Sequence, residues 1–533
     1  MTVYAPEDFT SDESEILRRY FTNLDGPVFA LVNLPEVVKG ALFARYSRSP
    51  KSLRRLFLDE FVGDLDLSGD LGVDATVGLA RAEELYEKVF FEYGDDSVAQ
   101  LGGVHLACEQ ASNVLTKILE WGRLASYLEQ STRYIAYDSR LAGRYRFHRD
   151  LDILNSRFGT RYVGDMDRMF DSYSLLAERV TDHVRSTIPR DPTDSDFVYR
   201  QATRAKALDA VRGVLPAASL SNVGVYASGQ AYEAMLIRLR SHPLPEARHY
   251  ADLMLVELRK VIPSFLRRVD IQDRGVRWSE YLERTREDTR SIVASIFDKQ
   301  PVDRSSPVVL TDFDPDGENK VVAAICYPLT SLPEHQIMSR VEKMSVEEKK
   351  SIIEAYVGDR SNRRHRPGRA FERTGYRFDV LSDYGAFRDL QRHRMLTIEW
   401  QQLTPNHGYT RPDLVDESGM TDVFDEVMAR SASLYDALLP QFPEQASYAV
   451  SMAYRVRYSM QFNAREAMHM LELRSSPQGH PAYRRVALEM HRLIAEQAGH
   501  TALAAAMTHL TIEAPELERL TSERQAERKR GSQ

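Results

Sequence analysis

The sequence predicts a mainly helical α+β chain built as two diverged copies of one unit. Three observations predict it. Apolar residues recur at helical spacing over most of the chain. Two strand-like runs, Val308 to Thr311 and Val321 to Tyr327, flank the turn-rich D-F-D-P-D-G-E-N. Finally, short stretches of the first half find counterparts in the second. A-L-F-A-R-Y-S (41–47) answers V-A-A-I-C-Y-P (322–328), W-G-R-L-A-S-Y (121–127) answers R-H-R-M-L-T-I (392–398), and L-I-R-L-R (236–240) answers M-L-E-L-R (470–474). Their unchanged order is the mark of a duplicated unit.

Taken along the chain, residues 1–25 suit a short helix with frayed ends. Pro27 to Ser47 joins a strand-like run to a helix start, and Asp59 to Gly72 is a loop punctuated by Gly and Asp. Helical periodicity covers Ala75–Phe91, Val98–Leu119, Asp165–Ile188 and Phe197–Val214, the last stopped near Pro216. Ala231–Val261 is periodic with a break at Pro243 and Pro245, and Gln272–Phe297 is a charged helical pattern. The cluster D-K-Q-P-V-D-R-S-S-P (298–307) reads as a linker. Helical spacing returns at Val346–Tyr356, Phe424–Leu438, Tyr448–Arg474 and Pro481–Leu510. The expected domains are therefore 1–300 and 301–515, with a charged tail at 516–533 whose end lacks order.

At 533 residues the chain exceeds one ordinary core. A net charge of −8 offers no general attraction to nucleic acid. No apolar run reaches the roughly 18 residues of a membrane span, and the N-terminal stretch lacks the pattern of a secretory leader. Both cysteines, Cys108 and Cys326, lie in apolar stretches and read as small buried hydrophobes of a cytoplasmic protein. The tryptophans Trp121, Trp278 and Trp400 read as packing residues.

Candidate chemistry concentrates in W-G-R-L-A-S-Y-L-E-Q-S-T-R-Y, from Trp121 to Tyr134, placed where a buried helix gives way to a loop. Arg123, Ser126, Glu129, Gln130, Ser131 and Arg133 supply guanidiniums, hydroxyls, an amide and a carboxylate. Such a set suits bidentate phosphate binding as well as a solvated charged loop. The arginine-rich run from Arg360 to Arg369 likewise reads as a solvated surface or as a pocket for small anions. E-A-R-H (246–249) and E-A-M-H (466–469) carry the Glu-x-x-His spacing used by di-iron helical bundles, an alternative that makes the chain a metal oxidase.

The Trp121–Tyr134 stretch resembles the signature of flavin-dependent thymidylate synthases, R-H-R-x-x-S-x-N-E-x-S-x-R-Y. Arg123, Ser126, Glu129, Ser131, Arg133 and Tyr134 match it, while Trp121, Gly122 and Leu128 depart. In the second half the R-H-R is intact at Arg392, His393 and Arg394, but Thr397, Trp400, Gln402 and Thr404 replace the rest. F-N-A-R-E-A-M-H-M-L-E-L-R (462–474) resembles a later helix of the family through Asn463, Arg465 and Arg474, with His469 in place of an asparagine. F-E at Phe371 and Glu372 resembles a further short element. The first half keeps R-G-V-L-P (212–216) and Arg240, and has lost the R-H, the N-A-R and the histidine of the family's G-H-x-S-V-x-E element, which here reads G-D-D-S-V-A-Q (94–100).

The resemblance implies two tandem domains of the family's fold, mainly helical with small antiparallel sheets. It implies FAD-dependent methylation of dUMP to dTMP with methylenetetrahydrofolate and NADPH as co-substrates, or a closely related flavin-dependent nucleotide modification, at a site shared between the two repeats. Arg123, Glu129, Gln130, Ser131, Arg133, Arg240 and Arg392 would bind the nucleotide. Arg474 and Arg212 would stabilise charge in the reaction. Glu372, Arg392, His393, Arg394, Asn463, Arg465 and His469 would hold FAD, and no metal is implied. Each half would lend the other what it has lost, in a homodimer that forms a pseudo-tetramer. A non-catalytic flavin- and nucleotide-binding scaffold is the alternative.

Overall fold

The computed structural model describes residues 7–26, 29, 31–36, 38, 39, 42, 43, 51–60, 62, 100–133, 135–140, 143–297, 300–303, 305–513 and 515–531. The stretches expected to be helical at Ala75–Phe91 and to carry G-D-D-S-V-A at 94–99 lie outside them. So do Tyr134, about half of Pro27–Ser47 and most of Asp59–Gly72.

The chain forms two compact units. One comprises residues 1–109, 122–129 and 222–300; the other comprises 110–121, 130–221 and 301–533.

Small antiparallel sheets and many helices make an α+β fold. The first unit holds most of a three-stranded sheet of order β1-β3-β2, with β1 Gly103–Ser112, β2 Ala125–Glu129 and β3 Leu220–Ser228. β2 runs antiparallel to β3 in a register that pairs Ala125 with Ala227 and Glu129 with Val223. The Gly229–Arg240 helix is tied to this sheet by Tyr232, whose buried hydroxyl donates to the carbonyls of Val104 (3.0 Å) and Val225 (3.1 Å).

The second unit contains a four-stranded antiparallel sheet of order β4-β5-β7-β6. Its strands are β4 Val308–Phe313, β5 Gly375–Asp383, β6 Thr397–Trp400 and β7 Arg455–Asn463. The Pro481–Glu496 helix packs on β4 and β5, and the Gly159–Thr187 helix packs against helices Asp196–Val211 and Thr421–Leu438.

Duplication is written into these elements. The order β5-β7-β6 repeats β1-β3-β2. After β1, Ser112 caps the Asn113–Leu119 helix by accepting from Leu115 N; after β5, Asp383 caps Tyr384–Leu390 by accepting from Ala386 N. After β3, Ser228 caps its helix through Ala231 N; after β7, Asn463 caps Ala464–Arg474 through Glu466 N. Inside the second unit the copies meet reciprocally about a bridge between Pro216 and Ser451. Ala217 N donates to Val450 O (2.8 Å) and Met452 N to Leu215 O (2.9 Å). Ala218 N donates to Tyr448 O and Ala453 N to Gly213 O. Such reciprocity is the pattern of a two-fold contact. Gly213 is required there, because a Cβ would sit 2.9 Å from that of Ala453.

The structure corrects several expectations about elements. Val98–Leu119 is not one helix: β1 precedes the short helix, and the Ser112 cap marks the change. Part of the Trp121–Tyr134 stretch, expected to be loop, is strand β2. Val321–Tyr327 is not a strand but lies in helix Gly317–Cys326 and the turn after it, with Val321, Val322 and Ala323 buried. Tyr448–Arg474 divides into β7 and a helix at the Asn463 cap. In each case an apolar run satisfied both periods, and packing chose between them. The charged tail carries a helix over Leu520–Gly531.

Candidate active site

The second unit gathers residues from both copies around the carboxylates Asp209 and Asp389. Arg133 follows β2 by a turn in which its N–H donates to Ser131 Oγ at 3.2 Å. Its guanidinium makes a fork on Asp209, with Nε to Oδ1 at 2.9 Å and Nη2 to Oδ2 at 2.6 Å. The remaining N–H groups donate to the Tyr483 hydroxyl (2.9 Å) and to Gln478 O (3.0 Å). Arg519 reaches the same carboxylate at 3.2 and 3.1 Å.

Asp389, in the Tyr384–Leu390 helix, accepts from both Nη atoms of Arg212 at 3.4 Å and lies 3.6 Å from Arg392 Nη1. Burial works against its charge, but Arg212, Arg392, Arg474 and Arg133 outweigh burial and hold the carboxyl well below its usual range. Arg388 donates to Thr132 Oγ1 at 3.5 Å. Guanidiniums thus outnumber carboxylates in a small hollow lined by Ser131, Arg133, Arg212, Arg388, Asp389 and Arg392. An excess of positive charge in low dielectric suits an anion.

Tyr483 connects this hollow to the second copy's helix. The ring centroid lies 5.8 Å from the Arg133 guanidinium and 5.4 Å from that of Arg474. Arg474 Nε donates to His393 Nε2 at 2.9 Å, so the imidazole proton sits on Nδ1, which donates to Glu466 Oε1 at 3.0 Å. Burial, with Arg474 and Arg366 beside it, pushes the His393 pKa well below the imidazole norm, and the ring is neutral. Burial likewise raises the Glu466 pKa. Asn463 caps that helix through Glu466 N. A continuous path therefore runs Asp209–Arg133–Tyr483–Arg474–His393–Glu466, from the first copy's signature to the second copy's N-A-R.

The other candidate residues are distributed as follows. Arg465 donates to Pro367 O (2.9 Å) and approaches Glu372 Oε1 (3.6 Å), so two residues proposed for the flavin stand together. Arg394 is exposed, and His469 is half-buried with its ring 5.4 Å from His393. Gln130 accepts from Ser221 Oγ through its carbonyl. In the first unit, Arg123 is exposed, Glu129 is buried at the end of β2, and Arg240 pairs with Asp252 and Asp270. Of the arginine-rich run, Arg360 is not solvated: it forks onto the fully buried Glu472 at 2.6 Å on both arms. Trp121 Nε1 donates to Ile398 O, and Trp400 packs on Phe387.

Sequence reasoning missed Asp209, Asp389, Tyr483 and Arg519. Asp389 stands three residues before the Arg392 of R-H-R, and that spacing is its one signal. Asp209 and Tyr483 lie in unremarkable helical segments, and Arg519 in a turn of the charged tail.

His393, Glu466 and His469 each offer a ligand atom, all within 4.8 Å of one another, the one such group among the described residues. E-A-M-H thereby gains a third ligand. Against a cation stand the Arg474 N–H already on His393 Nε2 and the charges of Arg366 and Arg363 near His469.

The family described as thymidylate synthase complementing protein matches residues 55–264 and 309–499. The chain belongs to this family. These are the flavin-dependent thymidylate synthases, and the two matched regions are tandem copies. Among similar proteins of this kind are two termed UPF0159 protein, from Chlamydia pneumoniae (38% identity) and Chlamydia muridarum (39%), each covering 91% of this chain and 92% of the relative. Another from Thermoplasma acidophilum is 31% identical over 86% of this chain and 92% of its own length. No helix of the described residues is long and apolar enough to cross a membrane.

Proposed function

We propose that this thymidylate synthase-like chain methylates deoxyuridylate with methylenetetrahydrofolate and NADPH, using FAD. The observation that carries the reading is the arginine-lined hollow, in which Arg133 and Arg212 of the first copy and Arg392 of the second surround Asp389, with Arg474 adding its charge from beside Tyr483. Arg133 and Ser131 hold the nucleotide phosphate, the guanidinium leaving Asp209 for the incoming anion. Arg212 and Arg474 stabilise negative charge that develops on the pyrimidine oxygens. Neutral His393, fixed by Glu466, accepts from Arg474 Nε and so sets the plane of that guanidinium. A protein nucleophile is not required, and the sulfur chemistry agrees: burial pushes the Cys108 thiol up to about 11 and raises that of Cys326.

The donor set suits FAD. Arg394 is exposed and Arg465 half-exposed beside Glu372, which gives cations for a diphosphate and a carboxylate for a hydroxyl. Bound by these residues with Arg392, His393, Asn463 and His469, FAD supplies the hydride of the reaction. A homodimer forming a pseudo-tetramer would supply further shared sites, in keeping with the residues each copy has lost. The test is a visible spectrum of the purified protein, titrated with deoxyuridylate, alongside metal analysis. A flavin spectrum that shifts with nucleotide supports the reading. A colourless protein that cannot be loaded with FAD sinks it, and stoichiometric iron or zinc would turn attention to His393, Glu466 and His469.

A further inference from the structure

The segment 515–531 lies beyond the residues matched by the family, yet it reaches the arginine hollow. Leu517 and Arg519 are buried. Glu518 accepts from Lys206 Nζ at 3.0 Å, and Arg524 forks onto Asp194 at 2.5 and 2.8 Å. Ser195 donates to Glu527. The segment is thus strapped along the Asp196–Val211 helix. Glu518 and Lys206 also help to wall a cavity of about 260 Å³, which shares Arg212 and Gly385 with the hollow.

Two guanidiniums hold Asp209 at once. Arg133 and Arg519 each contact both carboxylate oxygens or the fork between them, and Arg519 Nη1 also donates to the backbone carbonyl of Arg133 at 3.3 Å. The Asp209 side chain is 13% exposed. If Arg133 turns away towards a ligand phosphate, a buried carboxylate with no second partner would be strongly unfavourable. Arg519 removes that obstacle, while its bond to the Arg133 carbonyl keeps the backbone in place. We infer that Arg519 is a positioning residue for anion binding, which keeps Asp209 paired when Arg133 transfers to the ligand. This rests on the reading of the hollow as a nucleotide phosphate site.

The experiment is a double-mutant cycle read by calorimetric titration of the full chain with deoxyuridylate, inorganic phosphate and deoxyuridine. Arg519→Ala and Arg519→Gln are each made alone and with Asp209→Asn, and melting temperatures check folding. Using both replacements keeps the test valid should one misfold. Arg519→Gln is expected to weaken deoxyuridylate and phosphate about tenfold or more, to leave deoxyuridine unchanged, and to lose its effect when Asp209 is Asn. Unaltered deoxyuridylate affinity in the folded variants would overturn the inference. So would an equal loss with and without the Asp209 carboxylate, which marks a merely structural role. Should the parent chain bind phosphate without preferring deoxyuridylate, the nucleotide reading fails alone, and the same cycle on phosphate still decides Arg519. Binding of neither overturns both.

Discussion

Arginine carries several different roles in this molecule, and only surroundings separate them. Arg133 and Arg474 share the Tyr483 ring, and Arg133 lines a hollow with surplus positive charge. Replacing either by Ala is expected to lower turnover by roughly 10²–10³-fold with the fold intact, the usual effect of losing one charged donor to a transition state. Steady-state kinetics with deoxyuridylate check this, and near-normal turnover in either variant removes the assigned role. Arg360 behaves in the opposite way. Its fork holds Glu472 inside the core, so Arg360→Ala strands a buried carboxylate and is expected to cost about 3–5 kcal/mol of stability. Chemical denaturation reads that loss, and a stability change under about 1 kcal/mol would contradict it.

At the scale of elements, cap residues decide where strand becomes helix. Ser112, Ser228, Asp383 and Asn463 each end a strand and open a helix by accepting from the N–H three residues on. Asn463 therefore has a local duty whatever it does for a flavin. Asn463→Ala is expected to cost about 1 kcal/mol, whereas Asn463→Asp or Ser should keep the cap. If FAD affinity falls equally in the Ala, Asp and Ser variants, the amide itself contacts the cofactor; if only Ala loses affinity, the cap is what matters. The same junctions explain which elements were legible beforehand. Gly159–Thr187, Asp196–Val211 and Thr421–Leu438 have one apolar face over many turns and were readable from periodicity. β1 and β7 were not, because short apolar runs next to a helix continue its pattern on paper while pairing sideways in the fold.

For the whole molecule, buried histidines set a stability limit on the acid side. His469 is pushed down to about 4 and His480 and His242 to about 3, each mainly by burial. These rings are neutral when folded and titrate near 6.5 when unfolded. Their contribution is therefore fully present above about pH 6.5 and is lost as the pH falls towards the folded values. Asp383 and Glu466, raised by burial, act in the opposite sense over the carboxylate range. The melting temperature is accordingly expected to fall between about pH 6.5 and 5, before those carboxyls intervene. His480→Asn, which keeps a side-chain acceptor for Ala482 N, should flatten part of the slope. A melting temperature level across that interval would show that these rings do not titrate as described.

The sequence by itself determined the family, the duplication and most of the long helices, since motif order and helical periodicity are properties of the chain read in one dimension. It also supplied Arg133, Arg212, His393 and Arg474, which carry recognisable neighbours. Only the tertiary structure decided that Arg133 and Arg212 line one hollow with Asp389, that Arg474 and His393 join it through Tyr483, that Arg360 is a core ion pair and not a solvated cation, and that Asp209 and Arg519 are paired beside it. The physical reason is that charge compensation depends on distance through space. Arg133 and Tyr483 are 350 residues apart in sequence and 2.9 Å apart in the fold, a proximity no local pattern encodes.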